Sequence, residues 1–324
     1  MVVIGLLAYV IYRQVFARED FPQLWETFRA RFAWLHSPWL IAAVLLVPVN
    51  WLLETIKWRR LVRGFLEFSL YRTYLAILAG LSIGIVTPSR VGEYGGRAVL
   101  VAPEHNWRSV VATFVGNLAQ LIVLLIGGLL GSIWFFSRVY PLGETAVWTI
   151  TAISVVFIGG LLFLFFQTRR ALPYLHRKLP VRFKKVLSQL DQLRHYNNAE
   201  LRLALFYSVL RYLVFTGQYY LLLRFYGIEL DYPTALAAVA TIFFLHSGLP
   251  LPPVVGLLAR GEIALFVWGH FSDLDLNILA TTYTLFVLNL AVPALLGALV
   301  IAQTDVAGSF GYGRKRKQSI GKRE

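Results

Sequence analysis

Apolar runs recur along the whole chain, near residues 2–12, 38–56, 73–87, 109–136, 146–166, 203–223, 232–249, 254–268 and 278–303. Several reach about 20 residues, the length a helix needs to cross hydrocarbon. A helix also closes its own backbone hydrogen bonds, which lipid cannot do for it. Hydrophobic residues make up 57% of the chain and charged ones only 15%, with mean hydropathy +0.63. A soluble globular domain fits this poorly, and the expected class is all-α: a polytopic helical membrane bundle. Val2 to Tyr12 is short for a span and lacks the basic start of a signal peptide, so it reads as a clipped first helix.

The chain has no cysteine, which removes disulfides, thiolate catalysis and cysteine metal sites together. Its histidines, at 36, 105, 176, 195, 246 and 270, show no ligand-like clustering, so neither a metal nor another cofactor is expected. The formal charge of +14 would suggest nucleic acid in a soluble protein. Here the basic residues instead collect in short loops, the pattern of cytoplasmic faces facing anionic lipid.

Three such clusters mark one side of the membrane: Lys57 to Arg72, Arg169 to Arg194, and Arg314 to Arg323. Parity closes if residues 73–101 enter from the cytoplasm and return, while 232–268 enter from outside and return. Six full crossings remain, with both termini cytoplasmic. The expected architecture is one integral membrane domain, residues 1–306, in halves of about 1–136 and 137–306. A basic cytoplasmic loop, 167–200, follows an amphipathic pattern, and 307–324 form a basic tail. Two oppositely oriented re-entrant hairpins then occupy corresponding places in the halves. Such interrupted segments point to an inverted-repeat transport site, with a cavity between them. Two Pro-kinked ordinary spans are the alternative.

Each expected hairpin tip carries proline, glycine and charge. The first reads Thr87-Pro-Ser-Arg-Val-Gly-Glu93, with Arg97 beyond. On a helix starting at Pro88, Arg90, Glu93 and Arg97 share a face and can pair. The second reads Leu249-Pro-Leu-Pro-Pro253, then Gly256, Arg260, Gly261 and Glu262. Arg260 and Glu262 are two apart and act jointly only if the helix breaks at Gly261. Charge at this depth is costly and normally pairs or lines a polar cavity. By that rule Glu54, with Lys57 one turn on, is a local ion pair or a cavity residue. Arg211, one heptad before Gln218, faces the bundle interior or snorkels. His246 is a hydrogen-bonded structural histidine or, less simply, a proton relay. Gly92, Gly95, Gly96, Gly127, Gly128 and Gly131 read as helix-packing faces.

Trp58-Arg59, the Thr87–Glu93 run with Arg97, and the proline, glycine and glutamate pattern from Pro250 to Glu262 carry a resemblance over nearly the whole chain. They resemble the lysylphosphatidylglycerol synthase transmembrane-region family, a flippase-like membrane domain. Similar proteins often hold an arginine and an acidic residue early in the span after the first hairpin, where this chain has Asn117 and Gln120. No soluble acyltransferase domain follows the last span, so aminoacyl transfer is not expected.

The resemblance implies a bacterial inner-membrane protein that moves a phospholipid or glycolipid headgroup between leaflets, with acyl chains left in lipid. Arg90 and Arg97 would bind a lipid phosphate, since guanidinium offers bidentate donors. Arg260, Glu262, Glu54, Asn117, Gln120 and Arg211 would complete the substrate site, with Glu93 holding Arg97. Membrane lipids are the expected partners, and nucleic acid is not. Two rivals remain: a non-catalytic scaffold for a separately encoded lipid-modifying enzyme, and an enzyme using Glu93 or Glu262 as general acid or base.

Overall fold

A computed structural model describes residues 21–32, 37–178, 191–248 and 253–304, besides the single positions 9 and 12. The first apolar segment, the 249–252 tip of the second hairpin, residues 179–190 of the basic loop and the tail 307–324 therefore lie outside the described residues. The described residues are helical: α1 Phe21–Arg31, α2 Ser37–Val62, α3 Leu70–Ile85, α4 Gly92–Ala98, α5 Asn106–Val139, α6 Glu144–Lys178, α7 Asn198–Phe225, α8 Tyr232–Ser247, α9 Pro253–Trp268, α10 Asp275–Phe286 and α11 Val292–Ala302. Four helical stretches, Ser37–Val62, Pro103–Val139, Glu144–Gln167 and Asp275–Ala302, are long and apolar enough to cross a membrane. The chain is thus an all-α membrane protein.

Helix α7 is less apolar than those four although it runs 28 residues, about 42 Å at 1.5 Å per residue. Arg211 and Gln218 account for part of the difference. It is nevertheless central, making its most extensive contact with α2. On α2 the residues Asn50, Trp51, Glu54, Lys57, Trp58 and Leu61 repeat at three and four and form one buried stripe. Ile41, Leu45, Val49 and Leu52 lie exposed on the other side, as a lipid-facing surface would. The outer face of α6, with Val155, Val156, Phe157 and Phe163, is exposed in the same way.

Prolines inside helices are accommodated by local repair. Pro48 interrupts the α2 ladder, and nearby the Gln218 amide donates to the Ala43 carbonyl at 2.9 Å. Pro293 lacks an N–H and would crowd the carbonyl of Asn289 four residues back. There α10 passes into α11 through a π-turn, Val287–Ala291, which widens the helix and carries Asn289.

Helix α3 packs on α4, and α8 on α9, two helix pairs taken as the first and second hairpins. In the first, Ser69 caps α3 by accepting from the Arg72 N–H. Close approach of α4 to α3 depends on missing side chains: a Cβ on Gly96 would lie 2.7 Å from the Gly80 Cα, and one on Gly92 2.6 Å from the Ile83 carbonyl oxygen. Gly127, Gly128 and Gly131 similarly admit Tyr212, Phe244 and Ala240, whereas Gly95 meets nothing within 4 Å.

Three expectations change. The chain after Pro88 does not begin a regular helix: Pro88–Arg90 form a 3-10 turn and α4 starts at Gly92. Part of the expected loop from 167 is a continuation of α6, through Lys178. And α1, which no apolar run announces because Gln23, Glu26, Arg29 and Arg31 interrupt it, packs through Leu24 and through Phe28 against Phe225, ring centroids 5.8 Å apart.

Candidate functional site

The buried α2 stripe supplies the centre of the polar network. Glu54 is 1% exposed and accepts from three cations. Lys57 Nζ donates at 2.8 Å to Oε2, which Arg211 Nη1 also contacts, and Arg97 Nη2 donates at 2.9 Å to Oε1. Lys57 directs its other donors to the Gly116 carbonyl at 3.2 Å and Ser208 Oγ at 3.4 Å. Arg97 in turn contacts Glu93, and Glu93 pairs with Arg90 at 3.3 Å. The result is one chain of ion pairs, Arg211–Glu54–Arg97–Glu93–Arg90, that ties α7 through α2 to the first hairpin.

Amides extend the chain. Asn50 accepts from Arg211 Nε at 3.0 Å and donates to Asn289 Oδ1 at 3.1 Å. Gln120 accepts from Arg211 Nη1 at 3.4 Å and donates to the Ser208 carbonyl at 3.3 Å. Trp51 lies 5.4 Å from the Arg211 guanidinium, and Trp58 5.9 Å from that of Arg97. Trp58 is held by donating to Thr113 Oγ1 at 3.0 Å.

Both ends of the ion-pair chain reach one cavity of about 250 Å³, lined mostly from α2, α5, α7, α8 and the α10–α11 segment. Arg90 from the first hairpin and His246, Ser247 and Arg260 from the second line it. Arg211, Asn50, Gln120 and Asn289 are further polar residues of the lining, and Phe215, Phe243 and Phe286 are among its apolar ones. Arg260 Nε donates to His246 Nε2 at 2.9 Å, which places the imidazole proton on Nδ1 and makes His246 a structural acceptor.

Of the residues expected at a substrate site, the structure brings Arg90, Arg211, Arg260 and Gln120 to the cavity wall. Glu54, Glu93 and Arg97 lie behind it. Arg97 therefore is not a cavity donor: it is 1% exposed and clamps two carboxylates. Glu54 makes the expected local pair with Lys57 and is in addition the hub that joins α2 to Arg97 and Arg211. Glu262 is not brought in, because α9 runs unbroken through Gly261 and residues two apart diverge on a helix. It is exposed. Asn117 is half-buried and outside the cavity lining, so only Gln120 of that amide pair takes part. Sequence reading missed Asn50 and Asn289, whose signal is a lone amide inside an apolar run.

Arg90 is the one non-glycine residue with positive φ, 56°, among the described residues. That conformation costs an L-residue about 1 kcal/mol and is tolerated where function needs the side chain. Arg90→Gly is therefore expected to leave thermal stability in detergent unchanged or raised by up to about 1 kcal/mol, while removing one cavity guanidinium. A marked drop in melting temperature would show that Arg90 serves the fold.

Among curated proteins none matches the chain. The sequence profile of the lysylphosphatidylglycerol synthase TM region matches residues 1–297. That match spans α1 to α11 up to Gly297, including both hairpins and every residue of the ion-pair chain. The chain belongs to the lysylphosphatidylglycerol synthase transmembrane-region family.

Proposed function

We propose that this protein moves a membrane lipid between leaflets, its headgroup passing through the cavity between the hairpins while the acyl chains stay in lipid. The observation that carries this reading is the cavity itself. Arg90 of the first hairpin and His246, Ser247 and Arg260 of the second line it, and guanidinium, amide and phenyl groups share its lining, the two kinds of surface an amphiphile presents. Its volume of about 250 Å³ is many times the roughly 10–15 Å³ that admits one water. A headgroup fits such a space and a diacyl chain does not. In this reading the hairpins are re-entrant, and the chain resides in a bacterial inner membrane with its termini cytoplasmic.

The family name and the membrane fold support lipid handling. The buried carboxylates are engaged by arginines and lysine, which leaves them poor general bases and favours transport over headgroup chemistry. Translocation by the purified protein in liposomes tests the proposal. The parent is expected to equilibrate a labelled phospholipid between leaflets, and Arg211→Gln to slow it at least tenfold. Because Glu54 keeps Lys57 and Arg97 as partners, that variant is expected to fold. Parent vesicles no faster than empty ones would refute the reading.

A further inference from the structure

Resting on that reading, we infer that the headgroup taken by this cavity is a lipid phosphomonoester, a dianion, and that amine-bearing headgroups are rejected. Sign and count of charge both point this way. Arg90, Arg211 and Arg260 line the cavity, and no carboxylate does among the described residues. Nothing on the wall can accept an ammonium as a charged partner, so a zwitterionic or aminoacylated lipid would bury its amine beside guanidinium groups.

Arg260 is the most exacting of the three. Its Nε donates to the neutral His246 ring and its guanidinium carbon sits 5.6 Å from the Phe286 ring centroid. No Asp or Glu pairs with it among the described residues. A guanidinium at a cavity wall without a carboxylate is left with water, neutral acceptors or an incoming anion as its partners. The wider network repeats the imbalance: among the described residues Lys57, Arg90, Arg97, Arg211 and Arg260 face only Glu54 and Glu93. A phosphomonoester carries about −1.5 to −2 at neutral pH and three acceptor oxygens, enough to engage all three wall arginines. A phosphodiester brings a single charge.

The test is a leaflet-equilibration assay in proteoliposomes with phosphatidic acid, phosphatidylglycerol, phosphatidylethanolamine and an aminoacylated phosphatidylglycerol, run beside thermal-shift binding of short-chain phosphatidic acid and of inorganic phosphate. Phosphatidic acid is expected to move at least tenfold faster than either amine lipid and faster than phosphatidylglycerol. Arg260→Gln should remove that preference, and Arg260→Lys should restore part of it. Amine lipids that move as fast as phosphatidic acid would overturn the inference and leave lipid transport standing. If no lipid moves but short-chain phosphatidic acid still stabilises the parent and not Arg260→Gln, the dianion site stands and the transport reading falls. Stabilisation by inorganic phosphate alone would assign the site to the free anion and overturn the lipid assignment. Absence of both movement and stabilisation refutes both.

Discussion

Glu54→Gln is expected to destabilise the protein by about 3–5 kcal/mol, the range for removing one partner of a buried ion pair. The carboxylate is 1% exposed and is shared by Lys57, Arg97 and Arg211. Its neutralisation leaves those cations close together with Glu93 as the remaining carboxylate of the chain of pairs. An amide is isosteric, so packing does not change and the loss is electrostatic. Lys57→Met in the same background is expected to recover part of the loss, because it removes one of the stranded charges while filling the same space. A double-mutant cycle on detergent melting measures that coupling. Equal melting of parent and Glu54→Gln would show that the cluster contributes nothing to the fold. Arg260→Gln should behave oppositely and leave stability intact, because it relieves a surplus of cations.

The second large effect is steric. Gly297 on α11 faces α3 so closely that a Cβ there would overlap the Leu78 carbonyl group. No side-chain rotation relieves a clash with backbone, so Gly297→Ala must part the two helices. Overpacking of this kind costs about 1–3 kcal/mol and occasionally more. Because α3 carries the first hairpin, its displacement also shifts Arg97 relative to Glu54, and translocation should fall along with stability. Gly159, exposed on α6 with nothing within 4 Å of where a Cβ would stand, is the control: Gly159→Ala is expected to be neutral or to stabilise by up to about 1 kcal/mol through helix propensity. A Gly297→Ala protein that melts like the parent would mean that this helix crossing is looser than described.

How much of the site was legible in the sequence depends on the separation of the partners. Arg90, Glu93 and Arg97 stood out because three- and four-residue spacing predicts pairing, and both predicted pairs exist. The same spacing linked Glu54 to Lys57. Periodicity carries no information about Arg211, which reaches Glu54 across 157 positions, or about Asn50 and Asn289, 239 apart. Charge within an apolar run marked Arg211 as interior, Asn50 and Asn289 were passed over, and only folding names the partners. Local pattern also misassigned Arg97. A sequence shows that an arginine is held by a carboxylate, but not whether the remaining donors face a cavity or a packed wall. For Glu262 the spacing argument was sufficient: two residues from Arg260 on a helix it points elsewhere, and α9 continues through Gly261 without a break. Helix α7 was legible as the apolar run 203–223 even though the polar residues that build the site lower its hydropathy.

If the cavity between the hairpins is the path of the headgroup, blocking its mouth must stop transport. The chain contains no cysteine, so a single introduced thiol can be modified without background. Ser247, exposed on the second hairpin and lining the cavity, marks its mouth, and Leu142, 40% exposed in the loop between α5 and α6, serves as control. Lipid equilibration would be measured in vesicles bearing Ser247→Cys or Leu142→Cys before and after reaction with a bulky maleimide. Labelling at 247 is expected to reduce transport to the rate of empty vesicles, and labelling at 142 to leave it unchanged. Transport that continues at full rate with residue 247 quantitatively modified would contradict a path through the cavity.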